Sequence, residues 1–292
     1  LHSFANEFSK ELCATSTYLP EGARKISPLD QKTLRYAVRM KDDRGFLFIN
    51  NFQDHAQTRL KKDETIVLEL SGETIEVGPD ENCILPFNMD LNGILLKYAL
   101  AQPVTRWTEG GTVCYLFMVP DLMEEGFVFE EGTVVTESNH GYGRVYSVVR
   151  EDKYCSIYTI PRNKMGDLYQ LERGGRRIFV MTDAAVLGDK DEIRLETMEE
   201  ETLVSVYPCD AFKESSQVIR RKTDKGMWGI YQISVEKKEI DVSVKQTGPS
   251  RYVINIPIDN MKGLKEGLLQ IQYEGDIGQA FIDGEMIHDN FN

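Results

Sequence analysis

No run in this 292-residue chain approaches the roughly 18 apolar residues that cross a bilayer as a helix. No basic segment leading into an apolar one opens it, so no signal peptide is visible. Histidine is scarce: His2, His55, His140 and His288 stand apart, none at ligand spacing from a cysteine. A zinc site needs Cys and His clustered at short intervals, and no metal ligand set is expected. The five cysteines, Cys13, Cys83, Cys114, Cys155 and Cys209, are odd in number and irregular in spacing. That pattern argues against a secreted disulfide framework. Unpaired thiols lean towards a reducing compartment such as the cytoplasm. Cys114, inside Val113-Cys-Tyr-Leu-Phe117, reads as a free buried cysteine on a strand.

The formal net charge is −13. An acidic surface repels phosphate backbones and anionic membrane surfaces, so nucleic acid and membrane are not expected partners. Hydrophobic residues make up 41% of the chain, enough for a real core and too many for a disordered segment.

Most of the chain has the rhythm of strands. Phe4, Phe8 and Leu12 lie at helical spacing, with Ser3 as a candidate N-cap, and predict one short N-terminal helix. Residues 18–32 hold two prolines and a glycine and read as a linker, so 1–32 is taken as helical segment plus linker. From Thr33 on, short apolar runs alternate with polar turns. Leu34, Tyr36 and Val38 alternate with Arg35, Ala37 and Arg39, and the turn before Gly45 predicts a hairpin with Phe46–Ile49. Further strands are predicted at 65–70, 73–77, 93–98, 112–119, 127–129, 133–135, 144–149, 155–160, 177–181 and 202–207. Residues 183–187 are expected to form a helical turn. Residues 33–208 therefore read as one or two antiparallel β domains, and the polar stretch 209–227 as a second linker. Residues 228–292 read as a terminal β-sandwich, with strands at 240–245, 252–256 and 268–273 and a type I′ hairpin at Asp283-Gly284. The expected class is all-β: several antiparallel sandwich or jelly-roll units behind a short N-terminal helix.

Three segments carry a resemblance. They are Arg44-Gly-Phe-Leu-Phe-Ile-Asn-Asn-Phe-Gln53, Leu85-Pro-Phe-Asn-Met-Asp-Leu-Asn-Gly93, and Leu96-Lys-Tyr-Ala-Leu-Ala-Gln-Pro103. Their order resembles the region that follows the catalytic barrel in glycoside hydrolase family 35, the β-galactosidases. The tail from Gly275 to Asn292, with its Gly-Asp strand, Asp-Gly turn and Asp-x-Phe run, resembles that family's galactose-binding-like domain. The resemblance is dense over 34–120 and 268–291 and rests on strand rhythm alone over 125–225. It implies non-catalytic accessory domains whose partner is the protein's own catalytic barrel. The barrel strands that bear the family's two catalytic glutamates have no counterpart here, so no catalytic residue carries over and no cofactor is implied.

Read from the residues themselves, glycoside cleavage needs two carboxylates facing across a sugar. The runs Met123-Glu-Glu125 and Met198-Glu-Glu-Glu201 read instead as solvated turns, and Pro79-Asp-Glu-Asn82 as a turn without calcium-loop spacing. No Gly-x-Ser-x-Gly elbow and no phosphate-cradling glycine loop occurs. Lys164-Met-Gly166 and Arg173-Gly-Gly-Arg-Arg177 read as hairpin turns. Recognition of a β-galactoside would use an aromatic face beneath the ring and amides at its rim. The candidates are Trp107, Trp228 and Tyr231 with Asn50, Asn51 and Gln53. The competing reading is core packing for the aromatics and strand-end capping for the asparagines. Three functions stay open: accessory domains of a β-galactosidase-like enzyme, a carbohydrate-binding module, and an oligomerisation or interaction scaffold.

Overall fold

Why the apolar runs are continuous, rather than alternating with polar residues, is answered by the layering. A computed structural model describes residues 2–54, 56–65, 74–188, 193–221, 224–264 and 267–291. Their contacts define two units, Leu1–Thr197 with Glu201–Ser234, and Met198–Glu200 with Val235–Asn292. The structure is all-β, with short helices and several antiparallel sheets.

The larger unit stacks three sheets. The first holds Ser16–Tyr18, Arg35–Lys41, Arg44–Asn50, Asn82–Asp90, Leu95–Ala99 and Phe127–Phe129, side by side in that order. The central sheet runs Val134–Asn139, Arg144–Arg150, Lys153–Pro161, Thr112–Val119, Gln102–Glu109. The third runs Leu168–Arg173, Arg176–Met181, Glu201–Tyr207, Gly229–Ser234, Val218–Arg220.

A strand buried on both faces must be apolar at every position, because successive side chains point to opposite sides. Arg44–Asn50 shows this: Phe46 and Phe48 face the core shared with the central sheet, while Leu47 and Ile49 face a second core closed by Ile75 and Val77. In Thr112–Val119, Tyr115 and Phe117 face the first sheet, and Leu116 and Met118 face the third. Arg176–Met181 repeats the pattern, Phe179 and Met181 inward and Ile178 and Val180 onto the far core beneath the hairpin Ala185–Gly188/Ile193–Glu196. Burial on both faces also admits a parallel pair: Lys153–Pro161 runs parallel to Thr112–Val119, whereas antiparallel pairing was expected throughout.

The N-terminal helix is two short ones, His2–Glu7 and Ser9–Cys13. Ser3 lies inside the first and is not its cap. Phe4 and Phe8 enter the core between the first and central sheets, edge-on to Phe46 at 5.2 and 6.3 Å. Two arginines fasten them: Arg106 Nη1 donates to Glu11 Oε1 at 2.7 Å, and Arg177 Nη2 to Glu7 Oε1 at 2.8 Å. Among the described residues no helix is long and apolar enough to cross a membrane.

Four local expectations change. Residues 185–187 lie in the strand Ala185–Gly188 and 183–184 form a bend before it, instead of a helical turn. Lys164–Gly166 lies in the 3₁₀ helix Arg162–Asp167 instead of a hairpin turn. Residues 268–273 take no strand pairing. The stretch 209–227 contains the strand Val218–Arg220, bonded to Gly229–Ser234, so the larger unit continues through Ser234 and the terminal unit does not begin at 228. The strand expected at 65–70 lies outside the described residues beyond Thr65. The hairpin at Asp283-Gly284 forms, with φ of 51° and 86° at its two turn residues. The terminal unit carries that hairpin and Ser243–Gly248/Arg251–Asn255. Among the described residues it buries no hydrophobic side chain.

Candidate functional site

Trp107 and Trp228 are brought together, and Tyr231 is not. Trp107 stands on Gln102–Glu109 and Trp228 just before Gly229–Ser234, both in the core between the central and third sheets. Trp107 packs on Phe179 at 4.9 Å, Tyr158 at 5.4 Å and Tyr207 at 6.4 Å. Trp228 meets Tyr142 edge-on at 5.3 Å, and its Nε1 donates to His140 Nδ1 at 3.1 Å. Between the tryptophans lies a gap of about 10 Å³, lined also by Leu116, His140, Ile160 and Met227. That volume admits one water at most; ligand pockets run to roughly 300–1,000 Å³.

Tyr231 lies on the opposite face of the third sheet, 1% exposed, its hydroxyl donating to the carbonyls of Cys209 (2.8 Å) and Phe212 (3.2 Å). Trp228 is 2% exposed. Neither offers a ring face to a sugar, and both belong to the larger unit, not the terminal one in which they were expected.

Two of the three amide candidates, Asn50 and Asn51, cap backbone. Asn50 Oδ1 accepts from Phe52 N at 2.7 Å. Asn51 is buried and its Nδ2 donates to the carbonyls of Arg59 (2.9 Å) and Gly78 (2.6 Å). Gln53 Oε1 is buried and finds no donor among the described residues. His55, nearby in sequence, lies outside them.

Sequence reasoning missed the residue that organises this end of the first sheet. Glu81 is a buried carboxylate, accepting from Gly78 N at 2.6 Å and Asp121 N at 2.8 Å, with Arg162 Nη1 at 3.5 Å. Its partners come from three separate segments, which a local motif does not reveal. Glu125 was also misread as solvated: its side chain is 14% exposed, beside Arg144 at 3.8 Å. His140 read as isolated. The signal for it was the flanking Gly141 and Gly143, since glycine marks a close backbone approach.

Burial governs the titrating groups here. It lowers the His140 pKa, opposed by the hydrogen bond to Thr159 and the Glu125 charge. It raises Tyr207, assisted by a hydrogen bond to Glu109. Cys114 and Cys155 are pushed up to about 12, mainly by burial, which keeps both thiols protonated and unreactive. Among the described residues all five cysteines are free, and no group of three or more His, Cys, Asp or Glu is placed to hold a metal. The chain matches no protein-family model and no curated protein.

Proposed function

We propose that this chain is the non-catalytic β portion of a β-galactosidase-like glycoside hydrolase, a scaffold that packs around a catalytic barrel. The observation that carries the reading is how the three resembling segments are used. Residues 44–53, 85–93 and 96–103 hold adjacent strands of the first sheet, and Asn50, Asn51, Asn88, Asp90, Asn92 and Gln102 among them bond to backbone groups. Such segments brace an architecture; they do not present chemistry. On this reading the tail 275–292, whose Asp283-Gly284 hairpin forms, corresponds to part of the family's galactose-binding-like domain.

The test has two arms. Galactose, lactose and a short β-galactan are titrated while tryptophan fluorescence is followed, and the response is expected to be flat. A chromogenic galactoside is then offered to the purified chain, with no turnover expected. Saturable quenching would make it a carbohydrate-binding module instead. Turnover abolished by a carboxylate substitution within the chain would falsify the scaffold reading.

One observation favours an interaction scaffold as the second reading. The terminal unit exposes Val244, Tyr252, Leu269, Ile271, Phe281 and Ile287. Where such side chains join into one apolar patch, a partner can cover it. Concentration-dependent mass in light scattering supports that reading, and a monomer throughout opposes it.

A further inference from the structure

The turn 139–143, between two strands of the central sheet, interlocks with the loop 224–228 that leads into the third. A Cβ at Gly226 would come within 2.5 Å of the His140 carbonyl oxygen, and one at Gly141 within 2.5 Å of the Lys225 carbonyl. Both glycines have positive φ, 62° and 100°. The loop closes on itself through Lys225 N–H to Trp228 O and Trp228 N–H to Lys225 O. Tyr142 is hydrogen-bonded to Ser205 Oγ at 2.7 Å, and Lys225 Nζ sits 3.8 Å over its ring.

His140 lies inside this junction, 2% exposed. Its Nε2 is 2.9 Å from Thr159 O, and its Nδ1 is 3.1 Å from Trp228 Nε1. A carbonyl only accepts, so Nε2 carries the hydrogen. An indole N–H only donates, so Nδ1 must offer its lone pair. Both partners therefore require the neutral ring. A second proton would sit on Nδ1 and point at the indole N–H.

We propose that His140 and Trp228 form an acid-sensitive latch, in which proton uptake at Nδ1 breaks the bond from Trp228 and releases the loop 224–228 from the turn 139–143. The seat of the third sheet on the central one then loosens. The groups around the imidazole come from every side. Glu125 faces it from the segment before Phe127–Phe129 and favours the cation. Tyr158 of the central sheet stands 5.8 Å away, ring to ring. Tyr142 and Arg144 lie on its own hairpin, with Arg144 turned to Glu125 and Glu137. Lys225 comes from the loop, and Tyr207 of the third sheet backs Trp228 at 6.2 Å. Burial outweighs these and lowers the folded pKa. The unfolded chain takes the proton near pH 6.5. Below that, and down to the folded value, the unfolded state binds more protons, so stability falls as pH falls.

The experiment is NMR of the whole chain labelled at its histidines and tryptophans, from pH 7.5 to 4.5. His140→Gln and Trp228→Phe assign the signals. The His140 ring is expected to titrate at lower pH than solvent-exposed histidines. The Trp228 indole N–H signal shifts or broadens over the same span, and that of Trp107 does not. In Trp228→Phe, which keeps a ring and loses the donor, His140 titrates at higher pH than in the wild type. The urea midpoint of the wild type falls on going from pH 7 to pH 5, and His140→Gln loses a measurable part of that fall. An indole signal unmoved while His140 protonates, or an unchanged His140 titration in Trp228→Phe, overturns the latch. If His140→Gln does not fold, the wild-type and Trp228→Phe titrations decide alone.

Discussion

A carboxylate as deeply buried as that of Glu81 is costly unless its oxygens are occupied, and here two backbone N–H groups and a guanidinium occupy them. Replacing it by alanine strands both donors and leaves Arg162 without this partner. Glu81→Ala is expected to lower unfolding stability by about 3 kcal/mol, the scale of a broken buried pair, read as a fall in the urea midpoint. Glu81→Gln, which retains one acceptor oxygen, loses less. If alanine and glutamine cost the same small amount, the carboxylate is not the brace. The sequence shows only a Pro-Asp-Glu-Asn turn at this point, because Gly78 is near in sequence while Asp121 and Arg162 are brought in by tertiary structure. Asn50 and Asn51 were more legible. Directly after a four-residue apolar run, strand-end capping was a natural reading, and hydrogen bonds to backbone groups are what they make. The tryptophans were legible as aromatic anchors but not as to side. Whether an indole meets solvent or another sheet depends on the layer above it, and no local pattern encodes that.

At the scale of elements, helices of six and five residues are too short to persist alone. Their stability comes from what they bury. Phe8→Ala is expected to cost about 3–5 kcal/mol, the range for a large core aromatic. Leu29→Ala, at a side chain 82% exposed, should stay within about 0.5 kcal/mol of wild type. Paired urea titrations check both, and equal effects would mean the helices are not docked through Phe8. Gly45→Ala is a second test: its Cβ would lie 2.0 Å from the Arg39 carbonyl across the hairpin, so the strand pair must shift. A clear loss of thermal stability is expected. The strands of this region were readable because a continuous apolar run bounded by turns has few other uses. Residues 268–273 have the same look and take no pairing. Strand pattern specifies only a willingness to pair, and the partner is a tertiary matter.

For the molecule as a whole, the two units differ in what holds them. Among the described residues, the larger has four buried apolar clusters, whereas the terminal unit buries no hydrophobic side chain. Backbone with little buried contact opens most readily. Brief chymotrypsin treatment should therefore cut first within 235–292, at sites such as Tyr252, Leu269 or Phe281, and leave a resistant fragment ending near Ser234. Mass spectrometry of the first products decides it, and first cuts between 35 and 207 would refute it. The boundary itself was misplaced from sequence because residues 209–227 are polar. Polarity reports solvent contact, and the edge strand Val218–Arg220 has that while still pairing on one side.

The parallel pair in the central sheet has a consequence for how the chain is made. Thr112–Val119 finds one neighbour, Gln102–Glu109, almost at once, because only a tight turn separates them. Its other neighbour, joined over seven register pairs from Val113 to Val119, leaves the ribosome about forty residues later. In that interval the strand presents a free row of N–H and C=O groups flanked by Tyr115, Leu116 and Phe117, a template on which a second nascent chain can add. Aggregation during crowded synthesis is the expected consequence, and slowing initiation should raise the soluble yield.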